Sequence, residues 1–390
     1  MENKEEFKLS YFDSVSIINA NDWNTVNKNQ NIYLTLEYLQ AIEVALKNEI
    51  KFRYILFYNN NNIPVGIAIV QLVKFIDKGS PYYAHLCKLT GQLKNKIIQS
   101  LNIKVMVCGN VFSCGENGFL FSNEIPYNLA YENLHKALQR LRKAEKTNDQ
   151  TSIVLLKEFW PATFEKIDLF KEHNYRDFMI DVNMVLLIHK NWNTIDDYLS
   201  SMVAKFRTRV NSMMKKSAPL VVKNMELNDI VEHSSKIVEL YTNVLNKSDI
   251  TMGTLNEQAF IQLKQNLGSQ FVLNGYFLNS KLIAFSSAFW TKNILDANYV
   301  GIDYEYNIEY ATYQRMLYDF VVLAIDKKAS EIRYGRTAEE IKSCLGAQPV
   351  NMKLFIKHKN SVSNKLLKPL IKSITPNTFE IRKPFKANLI

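Results

Sequence analysis

The sequence predicts a mixed α+β protein built as two tandem α/β domains, each a central mixed sheet flanked by helices. Three observations predict it. The chain has 390 residues, a length that suits two cores of ordinary size. Short apolar runs bounded by turn residues alternate with segments whose apolar residues recur at helical spacing, so strands are interleaved with amphipathic helices. The element order is also the same in both halves (hairpin, strand, helix, strand, helix, strand), although the halves share little sequence.

In the first half, residues 52–58 and 63–73 are apolar runs joined by four asparagines at 59–62, a hairpin whose turn tolerates positive φ. A strand at 103–108 follows, then a helix at 127–146 with Leu129, Leu134, Ala137, Leu138 and Leu141 on one stripe. A strand at 152–156, a helix at 162–173 and a closing strand at 176–188 complete the half. A helix at 197–216 opens the second half, with Tyr198, Met202, Phe206 and Val210 on one face, and helices at 230–246 and 256–267 come next. Strands at 271–278, 282–290 and 294–303, a helix at 310–326, a strand at 331–335, a short helix at 339–344 and a strand at 351–358 end it. The boundaries this order implies are 1–188, 189–360 and a basic tail at 361–390.

Three strands, helix, strand, helix, strand is the order of the GNAT acyltransferase core, and the segment 335–347, running from Gly335 through Arg336, Thr337, Glu340, Lys342 and Cys344 to Ala347, carries the sharpest likeness. The chain resembles the bacterial tandem GNAT-like proteins related to the FemAB peptidyltransferases, well over residues 190–360 and by element order alone before that. The resemblance implies transfer of an acyl or aminoacyl group to an amine, with no tightly bound cofactor and an acyl-CoA or acyl carrier protein thioester as co-substrate. It also implies a glycine-rich turn after the third strand, where backbone N–H groups and a helix N-terminus hold the pyrophosphate of coenzyme A. Here residues 304–315 contain no glycine and include Glu305 and Glu309, a departure from that pattern.

Aminolysis of a thioester needs positioning, a base for the ammonium proton and a donor for the oxyanion or leaving thiolate. Asp303 and Glu305, at the end of the third strand, are the candidate bases, and Tyr310 and Tyr313 on the next turn are candidate donors whose competing role is aromatic packing on the sheet. Arg315 is placed to pair with Asp303 or Glu305. Lys205, Arg207, Arg209, Lys215 and Lys216 make the 205–216 helix strongly cationic, either a clamp for a phosphorylated donor or a solvated face. Arg336, at a strand end, suits a carboxylate or phosphate, with Lys342 on the next helix pointing the same way. Thr337 with Glu340 three residues on matches a capping box.

Other chemistries find little support. The six histidines are scattered, and the four cysteines, Cys87, Cys108, Cys114 and Cys344, show no metal-ligand spacing, so no metal site is expected. There is no nucleophile elbow and no phosphate-binding loop of the GxxxxGK[ST] type. Unpatterned cysteines, a polar N-terminus and the lack of a long apolar run lead to the expectation of a cytoplasmic protein. The net charge of +10 and the lysines interleaved with Leu366, Leu367, Leu370 and Ile371 raise peripheral contact with an anionic inner membrane face. The expectation is thus an N-acyltransferase taking an amine substrate and an acyl carrier, with amino-lipid synthesis as the setting that the basic C-terminal segment suggests. The alternatives are a FemAB-like transferase using charged tRNA and a non-catalytic GNAT scaffold for an acidic partner.

Overall fold

The computed structural model describes residues 6–28, 31–74, 76–77, 104–145, 151–179, 182–247, 250–251, 253–372 and 378–387. Cys87 and His85, and the first residue of the 103–108 strand, lie outside the described residues. The strands in chain order are β1 (Lys8–Phe12), β2 (Lys51–Tyr58), β3 (Pro64–Lys74), β4 (Ile76–Asp77), β5 (Lys104–Cys108), β6 (Phe119–Phe121), β7 (Ile153–Phe159), β8 (Arg176–Phe178) and β9 (Val182–Leu187). They continue as β10 (Val221–Asn224), β11 (Ile250–Thr251), β12 (Phe271–Leu278), β13 (Lys281–Thr291), β14 (Ile294–Ile302), β15 (Glu331–Arg333), β16 (Gln348–Asn351) and β17 (Lys353–His358).

Two compact units form, one from Met1–Ile180, Asp249–Thr254 and Asn351–Pro376, the other from Asp181–Ser248, Leu255–Val350 and Asn377–Ile390. The first contains the sheet β1–β2–β3–β5–β7–β17–β8, with β6 beside β3, and the second contains β10–β12–β13–β14–β15–β9–β16. This corrects the boundaries 1–188, 189–360 and 361–390. The run 176–188 is two strands in different sheets: β8 pairs with β17 and β9 pairs with β15. The halves have exchanged their closing strands. Asn183 to Leu186 are buried in the second sheet, and a strand covered on both faces fits any sheet that matches its apolar register. β1 and the helices Ala20–Val26 and Leu36–Leu46 were not expected; Trp23, Tyr38 and Ile42 anchor those helices in the core.

In the first unit the helix Tyr127–Glu145 lays Leu134, Ala137, Leu138 and Leu141 on the sheet, with the short helices Phe164–Ile167 and Leu169–Glu172 beside it. The second unit's core joins the helix Thr312–Asp326, through Leu317, Phe320, Val321 and Ala324, to the helices Ile195–Ser201 and Ala204–Ser217. The expected single helix at 197–216 is broken at Met202 and Val203, but its stripe of Tyr198, Met202, Phe206 and Val210 is buried as expected.

The C-terminal residues are not a free basic tail. The helix Ser361–Lys372 belongs to the first unit, where Asn364 Nδ2 donates to Asn174 O at 2.8 Å. Residues 378–387 strap across the second unit. Val203 N–H donates to Pro384 O at 2.8 Å, Lys386 N–H donates to Ser201 O at 3.0 Å, and Arg382 pairs with Glu340 and Glu380. Phe385 sits 5.1 Å from Trp192 and 5.8 Å from Tyr198, ring centre to ring centre. It also covers Gly346, whose φ of +94° and lack of Cβ leave room for the ring. No described helix is long and apolar enough to cross a membrane.

Replacing Phe385 with Ala removes the strap's anchor and is expected to lower the unfolding free energy by about 3 kcal/mol. The exposed Lys383→Ala control should stay within about 0.5 kcal/mol. Urea melts compare the two.

Candidate active site

β14 and β15 are parallel and pair only from Ile294–Asp296 to Glu331–Arg333, while β14 runs on to Ile302. Past Arg333 the chain leaves β14 for β9: Tyr334 N–H donates to Met184 O at 2.8 Å and Met184 N–H donates to Gly335 O at 3.0 Å. The two parallel neighbours therefore part at their carboxyl ends, where open α/β sheets hold ligands. A bulge between Ser286 and Ala288 adds twist to the β13–β14 pair. The Ser287 hydroxyl satisfies the backbone there, donating to Tyr299 O at 2.9 Å and accepting from Tyr299 N at 3.0 Å.

The segment after β14 forms a short helix, Tyr304–Asn307, in place of a glycine-rich turn. Asp303 caps it, accepting from Glu305 N–H at 3.2 Å, and lies 3.6 Å from the Lys281 ammonium. Glu305 is exposed. Tyr306 and Tyr310 face each other at 6.3 Å, and hydrogen bonding to Glu309 raises the Tyr310 phenol. Ala311, at φ +49°, starts the helix Thr312–Asp326. The first-turn amide of Tyr313 donates to Asn307 Oδ1 at 3.0 Å, so a side chain of this loop occupies a donor that an anion would otherwise use.

Tyr313 is mostly buried between the two apolar clusters of this unit. Burial raises its phenol well above the ordinary range, and the charges of Tyr304 and Glu339 add to the effect. Glu339 opens the helix Glu339–Ser343, which follows β15, and its charge reaches the Tyr313 phenol on the helix that follows β14. Glu339 was missed in the sequence because the chemistry was sought on one side of the opening.

A groove of about 350 Å³ lies between the basic helix Ala204–Ser217, the helix Thr312–Asp326 and the helix Glu339–Ser343. Phe206, Val210, Met213, Leu317, Ile341 and Leu345 give it an apolar lining, while Arg209, Lys216, Ser212 and Gln314 supply its polar groups. Of the expected cationic ridge, the groove therefore takes Arg209 and Lys216. Lys205 is exposed elsewhere on the helix, and Arg207 folds back to donate to Met202 O at 3.0 Å, closing the break between the helices. Arg209 Nη1 is 3.9 Å from Cys344 Sγ, but burial pushes that thiol up, so it lines the groove as a neutral group.

Arg315 does not pair with Asp303 or Glu305. Its Nε donates to Asp319 Oδ1 at 2.8 Å, one helical turn away, and its Nη1 donates to Ser217 Oγ at 3.3 Å. The Tyr276 hydroxyl donates to Asp319 Oδ2 at 3.0 Å and lies 3.3 Å from Ser286 Oγ. This network ties the sheet, the helix Thr312–Asp326 and the end of the basic helix together. Burial raises the Asp319 carboxyl despite the lowering effect of Arg315.

The capping box at Thr337 and Glu340 does not form. Gly335, Thr337 and Ala338 all adopt positive φ, so Ala338 becomes the N-cap and Glu340 is free to bind Arg382. The buried Lys342 turns its ammonium onto the carbonyls of Gly335 and Arg336, holding this loop instead of pointing outward. Arg336 is half-buried at the end of β15. Among the described residues no cluster of three or more His, Cys, Asp or Glu suits a metal ion.

The corresponding place in the first unit is filled by its own chain. After β5, the buried Lys157 ammonium donates to Asn110 O at 2.8 Å and Ser113 O at 2.6 Å. Gly115 N–H donates to Glu158 Oε2 at 3.1 Å, and Trp160 N–H donates to Glu116 Oε1 at 2.7 Å. The loop of residues 109–118, which holds Cys114, is thereby clamped over the ends of β5 and β7.

The sequence matches no known protein family and no curated protein. Solved structures do match the fold. FemX superposes with a TM-score of 0.53 at 11% identity, over 86% of this chain and 94% of its own. A tandem GNAT protein from the clavulanic acid biosynthesis pathway gives 0.51 at 9% identity, over 90% and 99%. A conserved protein of unknown function from Bacteroides thetaiotaomicron gives 0.50 at 10%, also over 90% and 99%. The likeness establishes a tandem GNAT fold, shared with FemX.

Arg315→Met is expected to destabilise the chain by about 3 kcal/mol at pH 7, since it strands a buried carboxylate. Asp319 has a folded pKa above its unfolded value, so the folded state holds the proton more tightly and acidification favours it. The loss should therefore shrink as pH falls through that raised pKa; equal losses in urea melts at pH 5 and pH 7 would rule out the assignment.

Proposed function

We propose that this tandem GNAT-fold chain moves an acyl group from an activated carrier, a coenzyme A or acyl carrier protein thioester, to an amine, and that the reaction runs at the β14–β15 opening of the second unit. The contrast between the units carries the reading. In the first, Lys157 and Glu158 clamp the chain's own loop over the strand ends. In the second, the strands part, and the helices that follow them, Thr312–Asp326 and Glu339–Ser343, share with the helix Ala204–Ser217 an apolar groove that carries Arg209 and Lys216.

The chemistry needs few groups. The amine nitrogen forms a bond to the thioester carbonyl carbon, and the carbon–sulfur bond breaks. Glu339 takes one proton from the attacking ammonium, and the Tyr313 phenol, held protonated by its burial, gives its proton to the departing thiolate and recovers the second nitrogen proton as the amide forms. Glu339 is favoured over Asp303, whose carboxylate is committed to a helix cap and to Lys281, and over the exposed Glu305. Arg209 and Lys216 supply charge for an anionic group on the reactant that enters the groove, and Arg336, past the end of β15, supplies it for the phosphates of the carrier. With Asn307 on the Tyr313 amide, side-chain cations replace the glycine-rich turn as the anion contacts.

Thiol release from acyl-CoA and acyl-carrier thioesters in the presence of an amine panel tests the proposal. Glu339→Gln and Tyr313→Phe should each lower kcat by about 10²–10³-fold with KM for the thioester little changed. Arg209→Glu should act mainly on KM. Failure to release thiol from every thioester would overturn the reading and turn attention to salt-sensitive tRNA binding.

A further inference from the structure

The groove has a chemical character that thioester transfer alone does not require. Its walls are formed by Phe206, Val210, Met213, Leu317, Ile341 and Leu345, and its cations, Arg209 and Lys216, stand two helical turns apart on one helix. Cys344 adds a neutral sulfur to the lining. Both cations are exposed at their ends, whereas Val210, Met213, Leu317 and Leu345 are buried. A short acyl group such as acetyl would leave most of this surface wet. A volume of about 350 Å³ lies within the range of sites that enclose small ligands.

We propose that the groove holds one of the two reactants as a monomeric single-chain lipid, its alkyl chain along the apolar walls and an anionic head of the phosphate type between Arg209 and Lys216. This rests on the transfer reading and narrows its substrate class. Charge complementarity selects the head: two cations and no carboxylate line the groove, so an anionic head is held and an ammonium head is repelled. Ile341, an exposed apolar side chain on the groove, gains cover when the chain is seated. Lys342 beside it takes no part, because its ammonium is already bound to loop carbonyls.

The test is binding of alkyl phosphates to the full chain below their micelle concentrations, read by calorimetry and needing no turnover. Affinity should rise by about fourfold per added methylene from octyl to dodecyl phosphate and level off once the groove is full. Arg209→Glu with Lys216→Glu should abolish dodecyl phosphate binding and admit dodecyl ammonium. Ile341→Trp should weaken the longest chains most. Thermal melts of each variant show that it is folded. Binding that is absent, independent of chain length, or unchanged by the charge reversal would overturn the proposal. Chain-dependent binding without thiol release from any thioester would leave the lipid site standing and sink the transfer reading. Acetyl and dodecanoyl thioesters used equally, with no alkyl phosphate bound, would do the reverse.

Discussion

The second unit depends on the point where β14 and β15 part. Three residues of parallel pairing hold the strands together, and then the backbone of Tyr334 and Gly335 turns to Met184 on β9. Backbone groups inside a protein must be paired, so a strand between two neighbours that diverge can follow only one of them. β15 follows β9. The stretch of β14 that runs on past β15, and the two helix starts that follow these strands, are consequences of that choice. Because β9 comes from the first half of the sequence, the exchange of closing strands and the opening are one structural fact.

What surrounds the opening is stiffened by polar groups in unusual places. Arg315, Asp319, Tyr276, Ser286 and Ser217 form a partly buried network that joins the sheet to the helices Ala204–Ser217 and Thr312–Asp326. Lys342 spends a buried ammonium on the loop that carries Arg336, and the strap holds the helix Glu339–Ser343 through Arg382 and Glu340. Each costs desolvation, and each is compensated by hydrogen bonds to fixed partners. The result is that the helices lining the groove are each tied to fixed partners.

Much of the fold was legible in the sequence. The hairpins, the long helices and the buried stripe of Tyr198, Met202, Phe206 and Val210 follow from periodicity, a local property. The tandem order and the GNAT likeness followed from counting such elements. The site was less legible. Arg209 and Lys216 stood out as cations, but nothing local told them apart from Arg207, which closes a helix break, or Lys205. Arg315 was assigned a partner by proximity in the chain, whereas the helix offered Asp319 one turn on. Thr337 had the right residue type for a cap and the wrong backbone, since φ is positive at both Thr337 and Ala338.

By itself, then, the sequence determined most of the elements from residue 51 onward and their order, the apolar faces that must be covered and the absence of a glycine turn after β14. Tertiary structure alone decided which sheet β9 and β17 would join, that residues 378–387 form a strap and that Arg315 would bind Asp319 and Ser217. The reason is physical. Local propensity depends on neighbours a few residues away, whereas strand partners and converging side chains are settled by burying apolar faces and pairing backbone groups that lie a hundred or more residues apart.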